Sequence, residues 1–187
     1  MDEDASDRAR EDRVAIAAPF FPAPPKAGHS MALPTIVLDT NTIMALWVFQ
    51  DPGLEHLRQW LDADPGNTTV ATRPDALEEL RHVLAYRQFA LSTAQQHELL
   101  AAYARRARII MSDPTTEPAT APLPRCRDAD DQKFLEIARD SGASHLVSRD
   151  KALLRLARHR LVRERFSIQT PEALEAALAS LARNSDR

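Results

Sequence analysis

The chain is poor in the residues that many familiar chemistries require. Four glycines in 187 residues leave no glycine-rich dinucleotide loop, and neither a Walker loop nor a nucleophile elbow is present. A single cysteine, Cys126, excludes an internal disulfide and fits a reducing compartment. The six histidines show no zinc-type spacing. Aromatic residues make up 5% of the chain, too few to argue base readout by stacking. The formal charge is −3, so no global positive field attracts polyanions, and any such site has to be local. No apolar run approaches the ~18 residues of a membrane span. The acidic start MDEDASDRAREDR is the opposite of the basic first region of a secretory signal. A cytoplasmic protein without membrane contact is expected.

What is present suits one soluble domain: 44% hydrophobic and 27% charged residues in a chain long enough for a sizeable core. Residues 1–33 stand apart. Their charged start leads into AIAAPFFPAPPKAGHS, which holds four prolines and little that packs regularly, so a flexible, disordered extension is expected there. From residue 34 on, short β-type runs alternate with helical ones. Strands are expected at Thr35–Leu38, Thr68–Ala71, Arg108–Met111, His145–Ser148 and Phe166–Gln169, with helices between them. Thr72 is a candidate helix cap and Thr170-Pro171 opens a last helix. The stretch SDPTTEPATAPLPRC reads as a proline-rich loop. Such alternation implies a three-layer α/β/α fold with a central parallel sheet of four to five strands.

Carboxylates punctuate this pattern at positions where a parallel sheet concentrates function. In TIVLDTNTIM a β-type run meets Asp39. A turn accounts for that aspartate, and so does a ligand at the carboxyl end of the strand. SHLVSRDKALL repeats the layout, with Asp150 at a strand end where a helix begins. In CRDADDQKFLEIA a ~100° step per residue sets Phe134, Leu135 and Ala138 on one face, with Asp131 in the middle of it. Asp130 lies at the margin, and Asp128 lies further off, where it can cap the helix. A carboxylate facing a core needs a partner, since an unpaired buried charge is very costly. In DALEELRHVL, Glu78 points away from the Leu80–Val83–Leu84 stripe toward solvent, with Arg81 and His82 as neighbours, while Glu79 flanks the stripe. Four such acids without histidine or cysteine call for a hard cation, Mg2+ or Mn2+.

VLDTN, EELRHVL, DADDQKFLEIA and VSRDKALL, in this order and spacing, resemble the PIN-domain ribonucleases over roughly residues 34–175. The likeness is greatest to the bacterial branch grouped with the toxins of type II toxin–antitoxin pairs. The resemblance implies a PIN-like nuclease domain over 34–187 that is a metal-dependent endoribonuclease. Its four acids fall on Asp39, Glu79, Asp131 and Asp150, in catalytic and metal-binding roles. Asn41 and Ser148 match supporting positions, and Asp128 lies where relatives often carry a further acid. It also implies an RNA substrate, a cognate antitoxin and a homodimer. One departure stands out: relatives usually have glycine before the last acid, where this chain has Arg149. If that position needs a positive φ, arginine is strained there.

RNA binding requires positive charge near the acids. Residues 149–165 carry six arginines and one lysine against two acids, either as a solvated helix face or as an RNA-tracking rim that includes Arg149, Arg155 and Arg158. Trp47, Phe49 and Trp60 serve either as core or as an apolar partner surface. An inactive module that binds RNA or protein through the arginine rim is the alternative reading. A receiver-type phosphoacceptor is disfavoured, because Lys151 sits too close to Asp150 to play the lysine of that layout.

Overall fold

A computed structural model describes residues 34–63, 68–111 and 122–185. The expected extension over 1–33, and most of the proline-rich stretch, lie outside the described residues. Five strands form one parallel sheet in the order β3-β2-β1-β4-β5: β1 (Thr35–Leu38), β2 (Thr69–Thr72), β3 (Ala107–Ile109), β4 (His145–Val147) and β5 (Ser167–Gln169). All neighbouring pairs run parallel, with Val37 opposite both Ala71 and Leu146. Such pairs require crossovers, and helices supply them. They are α1 (Thr40–Ile43), α2 (Glu55–Asp62), α3 (Pro74–Leu84), α4 (Thr93–Arg106), α5 (Gln132–Ser141), α6 (Lys151–Leu156), α7 (Arg160–Arg163) and α8 (Pro171–Ser185).

The period of two in β1 divides the core. Ile36 and Leu38 face one layer, packed with Leu57 and Leu61 of α2, Leu80 and Leu84 of α3, Tyr103 of α4 and Leu174 of α8. Val37 faces the other, with Phe134, Leu135 and Ala138 of α5, Leu153 of α6 and Ile168 of β5. The α5 face expected from helical spacing is thus the buried one, and Phe134 and Leu135 are 1% and 0% exposed. Two buried layers explain why β1 reads as a continuous apolar run.

Three local expectations change, and one open reading is decided. Thr72 is not a cap but the last residue of β2, and Arg73 stands before α3 with no capping side chain. The guanidinium of Arg73 instead joins Asp75 at 2.6 Å to Glu136 of α5 at 3.1 Å. Asp128 does not cap α5: its Oδ1 accepts from Asp130 N at 3.0 Å in a local turn before the helix, and Asp131 holds the cap position without a side-chain bond. The arginine-rich helix is two short ones, α6 and α7, the second capped by His159, whose Nδ1 accepts from Leu161 N. Of the three aromatics after the first motif, Trp47 and Trp60 pack against the core, whereas Phe49 is exposed.

Candidate active site

β1 lies between β2 and β4, so the chain leaves it in one direction and later returns on its other side. That reversal opens a crevice beyond the carboxyl ends of β1 and β4, where open α/β sheets bind ligands. Asp39 follows β1 directly and caps α1. Its Oδ1 accepts from Thr42 N at 2.6 Å and its Oδ2 from Ser148 Oγ at 2.5 Å. It is 3% exposed. Burial pushes its carboxyl above the ordinary value, and the bonds from Ser148 and Thr42 pull the other way.

Ser148 follows β4 and is fully buried. Besides donating to Asp39, its Oγ accepts from Asp150 N at 2.9 Å, so one hydroxyl ties the ends of the two central strands together. Asp150 caps α6 through Oδ1, which accepts from Ala152 N at 2.6 Å and Leu153 N at 3.2 Å. Its second oxygen takes no part in that cap.

Asp131 enters from the start of α5, half-buried and without a capping bond. Its carboxyl is pushed up to about 6, first by burial, then by the negative charges of Asp150, Asp128, Asp39 and Glu79 in that order. Asp39, Glu79, Asp150 and Asp128 thus all lie within electrostatic reach of Asp131. Glu79 reaches it from the second turn of α3, while Glu78 turns outward to Arg81 at 2.6 Å and His82 at 3.3 Å. Cys126 shares the neighbourhood, but burial first, and the nearby acids after it, push its thiol up, which keeps it neutral. The acids themselves offer oxygen donors only.

Beside it lies an open cavity of about 500 Å³ lined by Arg127, Asp128, Asp150, Lys151 and Arg155, among others. Arg155 thus stands where the rim was expected. Arg158 is exposed and does not line the cavity. Arg149 is committed elsewhere: its guanidinium bonds Asp51 at 2.9 Å and Glu172 at 2.6 Å. Its backbone is not left-handed, so the arginine carries no strain of that kind. Asn41 is exposed, and the backbone bond to Asp39 comes from Thr42. Two contributors escaped the sequence. Thr42 is 0% exposed, with its hydroxyl donating to Val147 O, and a hydroxyl three residues after a strand-end aspartate was its only signal. Lys133 places Nζ 2.5 Å from Glu79; its position two residues after Asp131 signalled nothing about that partner.

A model of the PIN domain matches residues 35–152. The chain belongs to the PIN domain family. The match runs from the first residue of β1 into the start of α6, and so includes all four acids. The structure is similar to the crystal structure of PAE2754 from Pyrobaculum aerophilum, at 17% identity over 81% of this chain and 99% of that one, with a TM-score of 0.49. No curated protein matches the sequence. PIN domains are generally nucleases that act on RNA and use divalent metals. In this PIN domain no three His, Cys, Asp or Glu side chains among the described residues stand close enough to enclose an ion. The donor chemistry nevertheless fits one. A cation would relieve the repulsion that raises Asp131, and Mg2+ and Mn2+ keep several waters and need few protein oxygens. Among the described residues no helix is long and apolar enough to cross a membrane.

Proposed function

We propose that the protein is an Mg2+- or Mn2+-dependent endoribonuclease whose site consists of Asp39, Glu79, Asp131 and Asp150. The observation that carries this reading is Asp131: a carboxyl pushed up to about 6 by burial and by four other acids marks negative charge gathered in one place that the Lys133–Glu79 ion pair alone does not offset. At most two of Asp39, Asp131 and Asp150 would hold the ion directly, with the third, and Glu79 at the margin, reaching it through its waters. When bound, the ion supplies charge neutralisation at the scissile phosphate and lowers the pKa of the attacking water. The chain's own residues do the rest. Thr42 and Ser148 fix the Asp39 carboxylate, and their bonds favour its ionised form against the burial that raises its pKa. Ser148 also sets the distance between the ends of β1 and β4, and with it the separation of Asp39 from Asp150. Arg155, and Arg127 beside it, line the cavity next to Asp150 and bind phosphates on either side of the cleaved bond.

On the sequence resemblance, the enzyme is the toxin of a toxin–antitoxin pair, acting in the cytoplasm, with a homodimer and an antitoxin as its protein partners. Growth arrest on expression, relieved by the product of a small adjoining reading frame, tests that assignment; growth unaffected by expression refutes it. For the enzymatic reading, purified protein is given structured RNAs with Mn2+, with Mg2+ and with EDTA, beside Asp39→Asn. Metal-dependent cleavage that is absent in the variant is expected. No cleavage by folded protein under any of these conditions overturns it.

The ion pair between Lys133 and Glu79 favours a second reading, because an ammonium already neutralises one of the four acids. In that reading the domain binds RNA or protein without cleaving, and RNA binding is insensitive to EDTA.

A further inference from the structure

Three aromatic side chains gather on the surface, and the reading above uses none of them. Phe49 is 55% exposed and Tyr86 is 52% exposed. Phe89, partly buried, joins them, edge-on to Phe49 at 5.4 Å between ring centres and stacked with Tyr86 at 6.2 Å. Large rings left in solvent as one patch mark a binding surface more often than scattered ones do. The backbone makes special turns to present them. Gln50 at φ 47 and Ala90 at φ 51 are the two non-glycine residues with left-handed backbone among those described. Each directly follows a ring of the patch, Phe49 and Phe89. A Cβ in that region is disfavoured, and such outliers persist where the surroundings hold them.

The patch is linked along the chain to segments that carry the carboxylates. Phe49 is two residues from Asp51, whose carboxylate holds Arg149 at 2.9 Å, next in the chain to Asp150. Tyr86 is seven residues beyond Glu79, which α3 and the turn after it convert to a rise of about 10 Å. Basic side chains accompany the rings in the sequence. Arg81, His82 and Arg87 are exposed beside Tyr86. Arg81 is paired with Glu78, whereas Arg87, between Tyr86 and Phe89 in sequence, has no ion-pair partner among the described residues. Exposed rings beside a free guanidinium match an unpaired base and its phosphate, since bases stack on aromatic faces and arginine binds the backbone.

We propose that Phe49, Tyr86 and Phe89 form a stacking platform for an unpaired base of the RNA, with Arg87 on the adjoining phosphate. The assignment rests on the nuclease reading and adds a binding subsite to it. The probe is a short fluorescein-labelled oligouridylate, titrated in Mg2+ against full-length Asp39→Asn protein to prevent turnover. The same protein is prepared with Phe49→Ala, Tyr86→Ala or Tyr86→Trp added. Both rings are more than half exposed, so folding should survive, and thermal melts check it. Each alanine variant is expected to bind roughly five- to a hundredfold more weakly, with an unchanged salt dependence because no phosphate contact is lost, while Tyr86→Trp retains affinity. An abasic strand of the same length should bind the parent and the alanine variants equally weakly.

Alanine variants that bind oligouridylate like their parent overturn the platform. So does a loss that accompanies dissociation of a dimer on a sizing column, which would make the patch a protein interface. Cleavage of the same strand by the wild-type chain with Mn2+, run in parallel, tests the nuclease reading separately. Binding that depends on Tyr86 without any cleavage keeps the platform and refutes the enzyme. Neither binding nor cleavage refutes both.

Discussion

Replacing Asp131 by asparagine is expected to stabilise the metal-free protein, although it removes a candidate ligand. The carboxyl lies at about 6 instead of the ordinary 3.8. At ~1.4 kcal/mol per pKa unit this shift corresponds to about 3 kcal/mol held against the folded state once Asp131 ionises. Solvent reaches the side chain and screens its neighbours, which reduces the effect to about 1 kcal/mol. Below pH about 4 the group is protonated in folded and unfolded chains alike, and it contributes nothing. Between that pH and 6 the folded state holds the proton more tightly, so stability falls as pH rises through this window. Above 6 the full penalty remains. An opposing effect, the favourable placement of a carboxylate at the start of α5, amounts to about 0.3–1 kcal/mol, and asparagine caps a helix nearly as well. Thermal melts in EDTA at pH 4.5 and 7.5 separate these effects. In a chain of this size about 1 kcal/mol moves the midpoint by about 2–4 °C. The variant should melt that much higher than wild type at pH 7.5 and by only about a third as much at pH 4.5. Adding Mn2+ at pH 7.5 should then raise the wild type but not the variant, since only a folded site gains from the ion. A variant that melts lower at pH 7.5 in EDTA, or a difference that ignores pH, refutes the claim that Asp131 is destabilised by its neighbours.

The same proton competes with the cation, so Mn2+ affinity measured by calorimetry should weaken as pH falls below about 6 and stay level above it, with proton release on binding. Ser148→Ala deletes the bond to Asp39 and the acceptor for Asp150 N, and a bond to a charged group contributes about 1.5–3 kcal/mol. Urea melts should show a loss in that range, and cleavage should fall with it; an unchanged midpoint would remove Ser148 from its linking role. Lys133→Met withdraws the cation bonded to Glu79 and should tighten Mn2+ binding about severalfold, whereas weaker binding would mean that the ammonium organises the site. Phe134→Ala opens a cavity under the sheet and should cost about 3–5 kcal/mol in chemical denaturation, and a cost below about 1 would contradict its place in the core.

Much of the architecture was legible because it depends on local periodicity. Four-residue β-type runs and helical spacings in one chain imply a parallel sheet, and the ~100° step separated Glu78 from Glu79 and set Phe134 and Leu135 inward, as the structure has them. Element ends were less legible. Thr72 reads as a cap by residue type, but the register with β3, Thr72 opposite Ile109, keeps it in the sheet. Asp128 reads as a cap, but it turns to the Asp130 backbone ahead of the helix, and Asp131 takes the cap position.

The sequence by itself determined which acids stand at strand and helix ends, because those positions follow from period and turn chemistry within a dozen residues. Only the tertiary structure decided what each acid meets. That Ser148 joins Asp39 across 109 residues, that Lys133 neutralises Glu79 from another helix, that Arg149 turns to Asp51 and Glu172, and that three scattered aromatics close into one patch all depend on strand order and packing. Hydrogen bonds and charge effects act over a few ångströms of space, and separation along the chain does not reveal which groups will share that space.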